Sequence, residues 1–139
     1  MIKPLEMSIR DLLAPIIAPW TDHKGNAQPA PTVQLYEFAE NALADDERCM
    51  LIRNVGSGSG NYLVREPQMM IVVMSKVAGD MQAAYQYAML VMSYISKNYR
   101  TDCIMGLNAV GDVAGPYPLA SGRRAFEINL TVITDTGEA

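Results

Sequence analysis

One histidine and two cysteines are the whole supply of imidazole and thiol groups in this 139-residue chain. His23 stands in the polar stretch Thr21-Asp22-His23-Lys24-Gly25-Asn26, which predicts an exposed turn. A zinc site takes three or four clustered ligands, and neither Cys49 nor Cys103 has a second ligand at metal-binding spacing. Two cysteines are also too few for a disulfide scaffold. Each borders an apolar run, Met50-Leu51-Ile52 and Ile104-Met105, so both are expected as reduced, buried thiols of a cytosolic protein. Positive charge is scarce too: 11 basic side chains stand against 15 acidic ones, a formal net charge of −4. Sequence-reading nucleic-acid binders and anionic-membrane binders carry the opposite balance, and neither partner is expected. No apolar run reaches the roughly 18 residues of a bilayer-spanning helix. The start, Met1-Ile2-Lys3-Pro4-Leu5-Glu6, lacks the apolar core of a signal peptide.

What is present is a core. Half of the residues are apolar and 19% are charged, enough to fold as one domain over residues 1–139. Within it, residues 1–31 are expected as an N-terminal helix and linker, and 32–135 as the folded body. The stretch Gly56-Ser57-Gly58-Ser59-Gly60 invites comparison with a phosphate-binding loop. Such a loop ends in Lys-Ser/Thr and opens a helix whose N-terminus faces the phosphate. Here no Lys follows, and Asn61-Tyr62-Leu63-Val64-Arg65 is strand-like, so a connecting loop is the better reading. Asp45-Asp46-Glu47 is an acidic corner at the polar end of a predicted helix. No set of residues has the spacing of an acid–base or nucleophilic site, and no cofactor is expected.

Periodicity places the elements. Ile9, Leu12, Leu13, Ile16 and Ile17 recur at helical steps over Met7–Trp20, with Ser8 as N-cap and Pro15 as a kink or stop. Residues 21–31 read as a loop. Val33, Tyr36, Ala39 and Leu43 predict a second helix over Thr32–Leu43. Strands are expected at 50–55, 69–74 and 104–110, with a short extended piece at 62–64. The strongest helix opens at Asp80 and carries Met81, Ala84, Tyr85, Ala88, Met92, Ile95 and Tyr99 on one stripe. Residues 111–122 are turn-rich. Phe126, Ile128, Leu130 and Val132 alternate with polar neighbours, the pattern of a half-buried antiparallel strand. The sum is an α+β fold, a mixed, mostly antiparallel sheet of about four strands with helices packed on one face. Its core is expected to unite Met70, Val72, Met74, Ala88, Met92, Phe126, Ile128 and Leu130.

Several of these segments together resemble the tail terminator proteins of long-tailed bacteriophages, the lambda-type minor tail or tail completion proteins. The resemblance runs from about Val33 to Thr134. It rests on Val33-Gln34-Leu35-Tyr36-Glu37, Met50-Leu51-Ile52-Arg53-Asn54-Val55-Gly56 and Arg65-Glu66-Pro67-Gln68-Met69-Met70-Ile71-Val72-Val73. The long helix from Asp80 and the closing Arg123-Arg124-Ala125-Phe126-Glu127-Ile128-Asn129-Leu130-Thr131-Val132 complete it. The resemblance implies a structural virion protein without enzymatic activity, assembled in the host cytoplasm and placed at the tail–head junction. Such proteins form a ring, usually a hexamer of identical subunits. The ring caps the major tail tube protein, stops polymerisation and offers a surface to the head–tail connector. A head–tail joining (neck) protein, or a small ligand-binding domain or enzyme built on the Gly-Ser loop, are the alternatives.

Charge suggests how a ring could close. Residues 1–47 carry 3 basic and 8 acidic side chains, and residues 48–139 carry 8 and 7. If the two parts lie on opposite flanks, Asp45, Asp46 and Glu47 of one subunit would meet Arg123 and Arg124 of the next. Arg53, Arg65 and Glu66 flank the loop 56–67, which is expected to be mobile in the free subunit and to serve as a docking arm.

Overall fold

The computed structural model describes residues 4–57, 64–65, 67–77, 79–99 and 106–135. Helix α1 (Leu5–Leu13) runs into a 3-10 turn, Ala14–Ile16, and ends there. Pro15 removes one backbone donor and breaks the helical ladder, as its position in the pattern predicts. Ser8 lies inside α1 rather than at its cap, which is Pro4. The stretch 21–31 is more ordered than expected, because β1 (Trp20–Thr21) and β2 (Ala27–Gln28) pair as a small hairpin. Its turn is closed by Asp22, whose carboxylate accepts from the Lys24 and Asn26 amides, each at 2.9 Å. His23 sits in this turn, exposed, as expected.

The main sheet is mixed. Strand β3 (Thr32–Leu35) pairs parallel to β4 (Cys49–Ser57), which pairs antiparallel with β6 (Pro67–Met74), and β6 pairs antiparallel with β9 (Arg124–Asp135). The short β5 (Val64–Arg65) continues the register of β6 along β9. On the other side of β9 lie β7 (Gly106–Ala109) and β8 (Ala114–Pro118), both antiparallel to it. The sheet thus has more strands than the four expected, and it runs from the β3 edge to the β7/β8 edge. Strand β8 falls in the stretch read as turns, where Gly115, Pro116 and Pro118 mask a strand that hangs on the edge of β9.

Two expectations are corrected here. Thr32–Leu43 is not a helix: residues 32–35 form β3, and only Glu40–Ala42 make a 3-10 turn. Its helical spacing loses to pairing with β4, where Thr32 to Leu35 match Cys49 to Ile52 in parallel register. The chain then leaves the sheet through a loop closed by one side chain. The Gln34 amide accepts from the Ala39 N–H and donates to the Ala39 carbonyl, both at 3.0 Å.

The second correction concerns β6. Met69, Ile71 and Val73 face the helices, not Met70, Val72 and Met74. Opposed residues of an antiparallel pair share a face. Ile71 stands opposite Ile128 and Val73 opposite Phe126, which fixes the phase.

Both helices cover one face of the sheet, as expected. α1 packs over β4, while α2 (Met81–Lys97) lies across β6, β9 and β7. Ile9, Leu13, Met50, Ile52, Ile71, Ala88, Val91, Ile95, Ile128 and Leu130 form the centre of this core. Tyr87 anchors α2 to the turn after α1 through its hydroxyl, which donates to the Ile16 carbonyl at 2.9 Å. On the opposite face, Leu43, Cys49, Leu51, Val72, Met74 and Ala125 make a second, smaller cluster beneath residues 36–48.

Cys49 is fully buried there, and burial pushes its thiol up to about 12. A thiol that stays protonated is a poor nucleophile. In a Cys103→Ser background, thiol reagents at neutral pH should leave the native protein unmodified and label Cys49 only with unfolding. Rapid labelling of the native chain would contradict this packing. Cys103 itself lies outside the described residues.

Candidate functional site

The residues expected to carry assembly fall into three groups. Asp45 and Asp46 form an exposed turn. Arg53 is exposed on β4, and Arg124 is exposed at the start of β9. Glu47 and Arg123, by contrast, are consumed inside the subunit. Arg65 belongs to β5, while Glu66 and residues 58–63 of the expected docking arm lie outside the described residues. Gly56 and Ser57 are part of β4, so the extended structure continues two residues beyond the expected strand end.

Arg123 is completely buried, and its charge is engaged within the subunit. Its guanidinium is the hub of the loop between β3 and β4. Nε donates to Glu40 Oε2 at 2.8 Å, and Nη2 donates to the Ala44 carbonyl at 2.9 Å. Nη1 donates to the Ser75 carbonyl at 3.0 Å and to the Glu47 carbonyl. Four acceptors from two segments, the β3–β4 loop and the end of β6, therefore converge on one side chain, an arrangement that suits the planar, multidentate guanidinium. The acidic corner and the Arg123-Arg124 pair meet at one end of the same subunit. They do not form opposite flanks.

Glu47 is held in the same way. Its carboxylate accepts from the Thr32 hydroxyl at 2.6 Å and from the Ala44 N–H at 2.8 Å. These bonds, the Thr32 hydroxyl first, with the charge of Arg123, keep the Glu47 carboxyl below the usual range of about 4.5. The Ser121 hydroxyl and the Arg123 guanidinium do the same for Glu40. Depressed carboxyl groups stabilise the fold above their unfolded value, and that contribution is lost as pH falls through the folded values. The urea midpoint should therefore hold steady near neutrality and drop once pH passes below about 4.5. A Glu47→Gln variant should show a shallower acid slope, and an unchanged slope would remove Glu47 from the account.

A second buried arginine went unnoticed in the sequence. Arg48 pairs with Asp80 at the N-terminus of α2, donates to Gln28 Oε1 at 2.7 Å and lies 6.0 Å from the Trp20 ring centroid. It ties the β1–β2 hairpin to α2. Asp80 occupies the expected N-cap position without making a capping bond. Its carboxylate instead accepts from Arg48 and from the Lys76 N–H at 2.6 Å. The only sequence signal for Arg48 is a lone cation wedged between an acidic run and an apolar strand.

The depression beside this cluster, about 360 Å³, brings Asp22, His23, Lys24 and Asp80 together. Each acidic group is already engaged: Asp22 by its own turn and Gln28, Asp80 by Arg48. His23 is hydrogen-bonded to Gln86 through its ring and its amide. No group of three or more His, Cys, Asp or Glu residues that could hold a metal occurs among the described residues. No described helix is long and apolar enough to cross a membrane.

The exposed apolar side chains have a different distribution. Met81, Tyr85 and Met89 are exposed at every fourth position along α2, and Met81 and Tyr85 line a groove beside β8. Between Met81 and Ser96 the helix has no charged side chain at all; Lys97 is the first. A solvent-facing helix normally alternates charges on its outer face. Methionine and tyrosine in place of charge are the composition of a protein–protein contact. Val113, Gly115, Pro116 and Phe126 join this stripe to the β8 edge around a groove of about 270 Å³. At the other edge of the sheet, Tyr36 and Val55 are exposed. Exposed apolar side chains thus stand at both edges of the sheet.

No curated protein matches the chain. The model of a family described as phage tail termination protein matches residues 16–136, which spans the hairpin, the whole sheet and α2. With that match over most of its length, the chain belongs to the phage tail termination protein family.

Proposed function

We propose that the chain, whose family supports a structural role in tail completion, acts as a ring of identical subunits, a hexamer in the simplest case, seated on the end of the major tail tube protein. The ring stops tube growth and presents its outer face to the head–tail connector. The observation that carries this reading is the pair of exposed apolar edges at opposite ends of one sheet. Unlike surfaces on opposite flanks of a subunit make head-to-tail contacts, and such contacts close into rings when the rotation permits. Charge plays a smaller part than the sequence suggests, since Arg123 and Glu47 are spent on holding the 36–48 segment.

Arg53 on β4, Arg65 in β5 and Glu66 are the residues proposed to meet the tube or the connector. Assembly takes place in the host cytoplasm. A phage from which the coding sequence is deleted should make heads and tails that fail to join, with tails of abnormal length. Normal, joined virions from the deletion would refute the reading.

A further inference from the structure

Tyr36 is a bulky residue with a left-handed backbone, φ 72°, and it is half-exposed at the end of β3. L-residues with bulky side chains rarely adopt this conformation, and such outliers cluster where function holds them. Here the surrounding bonds impose it: the Tyr36 N–H donates to Ile52 at 3.0 Å, and the Glu37 N–H donates to Leu35 at 2.9 Å. The tight turn throws Tyr36 and Glu37 off the β3 edge into solvent. Glu37 has no charged partner among the described residues.

The complementary surface lies at the far edge of the same sheet. Its groove, about 270 Å³, has Tyr85 and Phe126 in ring contact at 5.2 Å, with Met81, Val113 and Pro116 around them. That is smaller than the roughly 300 Å³ at which small-molecule sites begin, and it suits a single large side chain. Arg124 is exposed two residues before Phe126, and alternation along β9 puts both on the face that carries α2. It too has no charged partner among the described residues. One edge therefore offers an aromatic side chain followed by a carboxylate, and the other offers an apolar groove followed by a guanidinium.

The geometry points to a contact between copies of this chain in which Tyr36 of one subunit fills the groove of the next and Glu37 pairs with Arg124. This deepens the proposed ring and rests on it. It replaces the acidic corner and Arg123 as the joint between subunits and keeps Arg124. The apolar groove supplies the affinity, and the rim charge sets orientation.

Sedimentation of the full-length chain over a range of concentrations tests it. Wild type should associate. Tyr36→Gly removes the side chain at a position where glycine is the favoured residue, so this variant should melt no lower than wild type. Its association should nonetheless weaken by about tenfold or more, the expected loss for a central aromatic anchor. Glu37→Arg and Arg124→Glu should each weaken association at low salt, less so at high salt, and the double reversal should restore it. If wild type associates and all four variants match it, the contact is wrong and the ring stands on other surfaces. If wild type remains monomeric at every concentration, the contact between free subunits is equally wrong, and the capping role is then judged by tail length alone.

Discussion

Arg123→Ala should destabilise the subunit more than any other single truncation of a charged side chain. The substitution strands the carboxylate of Glu40 and the carbonyls of Ala44, Glu47 and Ser75 around an emptied position. Each buried carbonyl left without its donor costs on the order of 1–3 kcal/mol, so the total should reach several kcal/mol, while Glu40, whose side chain is 37% exposed, is rehydrated and adds little. Arg123→Lys should recover only part of this. An ammonium group is a point charge with three donors and does not match four acceptors spread over the fork of a guanidinium. Urea denaturation measures the loss, and limited proteolysis should show early cleavage within residues 36–48. A variant within about 1 kcal/mol of wild type would mean that the hub contributes little net stability. Reversing the charge of Arg123 together with Arg124 would lose assembly through unfolding at Arg123, so Arg124→Glu alone is the informative variant.

Ile128→Asp should unfold the chain. Ile128 is fully buried at the middle of β9, opposite Ile71 and beneath α2. An unpaired carboxylate at that depth either stays charged or is forced to take up a proton, and both cost several kcal/mol. Typical domains have only about 5–15 kcal/mol of stability in all. The expected result is a chain without a cooperative thermal transition, recovered in the insoluble fraction. A soluble Ile128→Asp variant with a normal melting curve would show that the inward face of β9 is wrong.

The strand containing Ile128 was legible because four apolar residues alternate with polar ones, and alternation specifies both strand and face. β6 was only half legible. Met69-Met70-Ile71-Val72-Val73-Met74 is apolar throughout, so its length indicates a strand covered on both faces, but nothing in it chooses between odd and even residues. That choice is made by pairing with β9. The same reason explains Thr32–Leu43. Val33, Tyr36, Ala39 and Leu43 keep helical spacing by coincidence, and the parallel register with Cys49–Ile52 is a long-range fact that no local window contains.

At the level of the site, Arg123 and Arg124 are indistinguishable as neighbours in the sequence. One is the most deeply engaged polar residue of the fold, and the other stands exposed, because consecutive strand residues point to opposite faces. Of the apolar stripe predicted from Asp80 onward, Ala84, Ala88 and Ile95 are buried against the sheet, whereas Met81 and Tyr85 are exposed. The helical period marks the apolar face but not how much of it the sheet covers.

The central claim is that this protein ends the growth of a tail tube. Its most direct test is the length distribution of tubes grown from the purified tube protein of the same phage, imaged by electron microscopy after the terminator chain is added at intervals. Tubes should stop at the length reached when the chain is added, each with extra density at one end. Tubes that continue to lengthen at the same rate in the presence of a stoichiometric excess of folded protein would contradict it.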